Sequence, residues 1–180
     1  MYKRVMIVVD KRPVSRAAVD EGLQLAAVHG AAVVFYVAMP LYPMPLADVP
    51  PFVVVPPKEY QDAATEEAER LLSAAALKAS KAGVASRGVK GSGEEPAQGI
   101  VDAARRLRCD LIVVASAGRN ALLRLLTGSV IPALITASPI PVLVCKLKSR
   151  STRVPKKAPA PPKSRRTAAR PRRAAASRGG

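Results

Sequence analysis

The sequence predicts an α/β fold: a three-layer, doubly wound five-stranded parallel sheet in the order 3-2-1-4-5, with helices on both faces. Three observations predict it. Short apolar runs alternate with longer segments of helical periodicity through residues 1–146. The runs are continuously apolar and do not alternate with polar residues, the mark of strands buried on both faces. Glycines stand where helices should stop.

Each element follows from its residues. Val5-Met6-Ile7-Val8-Val9 is the first strand. A helix from Ser15 to Val28 carries Ala18, Val19, Leu23, Ala26 and Ala27 at helical spacing, and Gly30 closes it. Ala31 to Ala38 is the second strand. Residues 40–57 contain seven prolines and read as an irregular loop. Tyr60 to Ala82 is a long Ala/Glu/Leu helix stopped by Gly83, and Glu66, Glu67 and Glu69 form its solvated face. Val84 to Val89 is partly polar and belongs near a sheet edge, with Gly91-Ser92-Gly93 turning after it. Glu94-Glu95-Pro96 opens a helix to about Leu107, placing acids at its positive end. Leu111 to Ala115 is a buried strand, followed by a glycine-containing loop over 116–127. A short helix from Ser129 to about Ala137 precedes the last strand, Pro141 to Cys145. The two most apolar internal strands, the first and fourth, are placed side by side at the centre. Right-handed crossovers then give the predicted order, and the chain reverses between these two strands. In sheets of this kind the ligand crevice lies beyond the carboxyl ends of the strands at that reversal.

Composition narrows the chemistry. Hydrophobic residues make up 49% of the 180, aromatics only 3%, and tryptophan is absent, so the core is aliphatic. No apolar run reaches the roughly 18 residues of a membrane span, and the N-terminus does not read as a secretory signal. The expectation is a cytoplasmic protein with no membrane span. Two cysteines exclude a disulfide framework, and Cys109 and Cys145 read as small core residues. A single histidine removes most histidine-based catalysis and most zinc sites. The net charge of +16 is segregated: residues 146–180 hold 13 of the 29 basic residues and none of the 13 acidic ones. A domain over 1–146 and a disordered basic Lys/Arg/Pro/Ala tail over 147–180 follow. A tail of that charge suits nonspecific binding of DNA or RNA, or merely solubilises the chain.

The residues at the predicted crevice are Val9 and Asp10 after the first strand, Val37 after the second, and the 115–130 segment after the fourth. Asp10 reads either as a cap for the helix that follows or as a ligand contact. Gly118 permits a tight bend and close backbone approach. Gly128-Ser129 stands where a helix begins, with free N–H groups and the positive dipole end available to an anion. Arg119 and Arg124 can add positive charge. Together these features describe a phosphate cradle.

The spacing resembles the ATP-binding motif of the universal stress proteins, G-x2-G-x9-G-[ST]: Gly118 is followed by nine residues and then Gly128-Ser129. Val8-Val9-Asp10 with Ser15, Glu95-Pro96, Cys109-Asp110 entering the fourth strand, and Ser138-Pro139-Ile140-Pro141 before the last extend the resemblance over residues 1–146. Two departures stand out. Ala115 replaces the motif's first glycine, and Lys11-Arg12-Pro13 replaces the usual Gly-Ser after the aspartate. The resemblance implies binding of ATP, with Mg2+, without fast catalysis. Asp10, Val9 and the backbone of Val37 would meet adenine, and Ala115, Gly118, Arg119, Gly128, Ser129 and Val130 would surround ribose and phosphates. It also implies a homodimer through Val142, Leu143 and Val144 of the fifth strand. Nucleotidyl-transferring enzymes of the wider adenine-binding class carry a His-x-Gly-His signature or a Ser-Gly-Gly loop, and this chain has neither. The alternative reading is a nucleic-acid-associated protein that binds through its tail and keeps a degenerate nucleotide site.

Overall fold

The computed structural model describes residues 1–42, 57–91, 93–116 and 130–146. Most of the Pro-rich loop, the motif residues 117–129 and the basic tail lie outside the described residues. The elements run β1 (Arg4–Val8), α1 (Ser15–His29), β2 (Ala32–Ala38), α2 (Lys58–Lys81), β3 (Ser86–Gly91), α3 (Pro96–Arg106), β4 (Leu111–Ser116), α4 (Val130–Ala137) and β5 (Val142–Lys146). The five strands form one sheet in the order β3-β2-β1-β4-β5, every neighbouring pair parallel, as the sequence predicts.

Successive strand residues face opposite sides, so each strand feeds two core layers. Val5, Ile7, Val33, Phe35 and Val113 pack with α1 and α2 through Val19, Leu23, Ala26, Ala68 and Ala75. Met6, Val34, Tyr36, Ile112 and Val114 pack with α3 and α4 through Ile100, Val101, Ala104 and Leu134. Each fully buried valine, leucine, isoleucine, phenylalanine or methionine side chain among them stabilises the fold by about 1.5–3 kcal/mol. The layer under α1 is thin because Gly22 faces β1: a β-carbon there would lie 2.6 Å from Ile7 Cδ1.

The amino ends of the two central strands are clamped. The Asp110 carboxylate accepts the backbone N–H groups of Lys3 at 2.7 Å and Arg4 at 3.1 Å. Asp110 N–H donates to Arg4 O at 2.9 Å, and Arg4 Nη1 donates to Leu107 O at 2.7 Å.

The third strand starts two residues later than its composition suggests. Gly83 takes φ 67°, and Val84 N–H bonds back to Ala79 O, so Val84 finishes the helix end and pairing begins at Ser86. Gly91, expected in a turn, is the last residue of β3 opposite Ala38. It stands where a β-carbon would collide with the Tyr36 phenol.

Both cysteines are buried free thiols. Burial pushes the Cys109 thiol from an ordinary 9.0 up to about 11, with Arg4 and Arg87 opposing, and burial raises Cys145 and Tyr36 in the same direction. The unfolded chain therefore releases these protons first. The contribution of Cys109 is fully present below pH 9.0 and is lost as the pH rises through about 11. The urea midpoint is expected to fall across that window, and to fall less steeply in Cys109→Ala; equal slopes would show that the thiol does not titrate with folding.

Candidate functional site

The site begins where the central strands part. The β1–β4 ladder holds only from Val5↔Leu111 to Ile7↔Val113. Beyond it, β1 stays with β2: Val8 faces Tyr36, and Val9 N–H donates to Tyr36 O at 2.8 Å. β4 stays with β5 as far as Ser116↔Lys146. Each strand follows its outer neighbour, and a gap opens between their carboxyl ends.

A cavity of about 280 Å3 fills that gap. Its floor is made by Val8 and Val9 of the first strand's end, Val37 and Ala38 of β2, and Val114 and Ala115 of β4. α2 covers one side with Ala64, Glu67, Ala68 and Leu71, one face of the helix at i, i+3, i+4 and i+7. α3 and α4 cover the other with Pro96, Ile100, Val130 and Ile131. Asp10, Lys11 and Arg12 stand at the mouth.

The turn from β1 into α1 is braced through Asp10. Its N–H donates to the buried Ser15 Oγ at 3.0 Å. Its carboxylate accepts Arg12 N–H at 2.8 Å on Oδ1, and Arg12 Nε and Nη2 at 2.8 and 2.5 Å on Oδ2. The hydrogen bond to Asp10 holds the Arg12 guanidinium above its ordinary value against partial desolvation. The cap reading of Asp10 does not hold: α1 starts behind Val14 with no side-chain cap, and the carboxylate instead accepts from Arg12.

Of the residues the sequence singles out, Val9, Asp10, Val37, Ala115 and Val130 line this one cavity. Gly118, Arg119, Gly128 and Ser129 lie outside the described residues. Ala115 is extended strand without a positive φ, so its β-carbon carries no backbone strain. Sequence reasoning missed the α2 wall. Glu67 is not part of a purely solvated face: it lines the cavity, paired with Arg70. The spacing of Ala64, Ala68 and Leu71 was the available signal. Among the described residues no group of three His, Cys, Asp or Glu side chains is placed to hold a metal.

The family model described as the universal stress protein family matches residues 1–146. The chain is 31% identical over 150 residues to a universal stress protein of Methanocaldococcus jannaschii, covering 81% of this chain and 83% of that one. It is similar to a solved universal stress protein family structure from Burkholderia pseudomallei, at 27% identity and TM-score 0.61, covering 79% of this chain and 95% of that one. A universal stress protein structure from Archaeoglobus fulgidus in complex with dAMP shares the fold at 22% identity and TM-score 0.58, covering 81% and 98%. Structures of the same fold are also known with cAMP and with AMP.

The brace makes its own prediction. Ser15→Ala removes the acceptor for the Asp10 N–H and leaves a half-buried donor unpaired, so it is expected to cost about 1–2 kcal/mol in urea unfolding. Ser15→Thr, which keeps the hydroxyl, is expected to recover most of the loss. Equal midpoints for the alanine variant and the parent would remove the brace.

Proposed function

The chain belongs to the universal stress protein family, and on that premise we propose that it binds an adenine nucleotide, ATP with Mg2+ among them, at the carboxyl ends of β1 and β4. It acts as a stress-response regulator through binding, without fast catalysis. The observation that carries this reading is the cavity that gathers Val9, Asp10, Val37, Ala115 and Val130 in one wall system. Adenine needs a flat apolar slot with a few polar groups at its edge, and strand ends rich in valine and alanine supply it. The Asp10 carboxylate keeps acceptor capacity beyond its Arg12 bonds, enough to meet an exocyclic amine. Gly118, Gly128 and Ser129 carry the phosphate end by the motif. The nucleotides held by structures of the same fold support the choice of an adenine ligand.

The homodimer through β5 belongs to the same reading. β5 is an edge strand, its outer backbone groups unpaired within the sheet, and Leu143 is exposed on it.

Calorimetric titration with AMP and with ATP plus Mg2+ tests the proposal. Asp10→Ala and Gly128→Leu are each expected to weaken binding by about tenfold or more, with unchanged circular dichroism. Parental affinity in both variants would remove the site from this cavity.

The segregation of charge favours a second, compatible reading, in which residues 147–180 bind DNA or RNA nonspecifically. A chain ending at Lys146 is then expected to keep nucleotide binding and lose retention on DNA. Undiminished, salt-sensitive DNA retention by the shortened chain would sink it.

A further inference from the structure

Asp10 meets the cavity with an edge whose hydrogen-bonding groups can be counted. Its N–H is taken by Ser15 Oγ at 3.0 Å, and the Val9 N–H before it is taken by Tyr36 O at 2.8 Å. Neither backbone donor is left for a ligand, and the side chain of Asp10 is a carboxylate, which can only accept.

A carboxylate has about four acceptor sites, shared equally between its oxygens. Arg12 fills three of them: its N–H donates to Oδ1 at 2.8 Å, and its Nε and Nη2 donate to Oδ2 at 2.8 and 2.5 Å. Oδ2 is therefore full, and one site remains, on Oδ1. An ion pair this exposed adds little to stability. Its consequence is a carboxylate of fixed direction, with one open acceptor site, at the mouth of the cavity.

The purines differ in what they ask of such a group. Adenine carries one amine donor beside a ring-nitrogen acceptor, and the open site on Oδ1 satisfies that amine. Guanine presents two donors side by side, a ring N–H and an amine, spaced to meet both oxygens of a carboxylate at once. With the guanidinium fork on Oδ2, one of those donors is left unpaired against a wall of Val9 and Val37. A donor brought into an apolar wall without a partner is costly, and discrimination follows from that cost.

We propose that Arg12 is the positioning residue that sets base choice at this site: by filling Oδ2 of Asp10 it admits adenine and turns away guanine. This rests on the nucleotide reading of the cavity and goes beyond it, since the residue responsible belongs to the Lys11-Arg12-Pro13 departure from the motif.

Calorimetry with AMP and GMP on the parent, Arg12→Ala and Arg12→Lys tests it. The ratio of the two affinities is the readout, because a change of charge at the mouth shifts both monophosphates alike. The parent is expected to favour AMP by about tenfold or more. Both variants keep the backbone N–H bond to Oδ1 and lose the fork, and Arg12→Lys also keeps the charge. Each is expected to bring the ratio down by about fivefold or more. A merely structural role for Arg12 would lower both affinities and leave the ratio where it was. An unchanged ratio in the variants, or a parent that binds GMP as tightly as AMP, overturns the role of Arg12 and leaves nucleotide binding standing. A ratio that falls in Arg12→Ala but not in Arg12→Lys assigns the effect to charge, not to the fork, and overturns it too. If neither nucleotide binds the parent, the nucleotide reading falls and takes this one with it.

Discussion

Everything at the carboxyl end of the sheet depends on how β1 and β4 are held. At their amino ends the Asp110 carboxylate takes two backbone N–H groups of the neighbouring strand. Charge-assisted bonds to backbone donors are stronger than neutral ones, and here they fix the register of the central pair. At their carboxyl ends the same strands are claimed by their outer neighbours, β1 by β2 and β4 by β5. Strand twist then separates them. The gap follows from the way the strands pair.

The walls of that gap show how a binding surface is kept without unfolding its surroundings. Val9, Val37 and Ala115 belong to the same buried cluster as Ile7 and Val113, so the cavity floor is the top layer of the core. Small side chains there, Ala38, Ala64, Ala68 and Ala115, leave room that larger ones would fill. The ion pair at the mouth has a different value. Arg12 and Asp10 remain substantially exposed, and exposed pairs add little to stability. What the pair does is fix the direction of the carboxylate and neutralise it at the mouth of the cavity.

The fold was legible because its signals are local. Continuous apolar runs marked the strands, and Gly30 and Gly83, with φ 65° and 67°, marked helix ends. Where the signal was absent the boundary slipped or went unexplained: Arg108 takes φ 53° at the end of α3, a position glycine usually fills. The floor of the candidate site was legible for the same reason as the sheet order, since the reversal point names the strand ends that meet. The α2 wall was not. Its position over the gap depends on how a helix packs across β2 and β3, a long-range relation that the pattern of Glu66, Glu67 and Glu69 does not encode.

The turn between β1 and α1 ties these threads together, because it forms the mouth of the cavity. A turn that presents cations to a ligand normally loses binding energy to the ordering of its own backbone. Here Arg12 N–H already bonds the Asp10 carboxylate, Pro13 restricts the next φ, and Asp10 N–H is held by Ser15 at the start of α1. A flexible Gly-Ser pair could approach a ligand more closely with its backbone. Lys11-Arg12-Pro13 gives up that approach and offers side-chain charge from a backbone ordered in advance. The substitution therefore exchanges backbone contact for electrostatic reach at the mouth of the cavity.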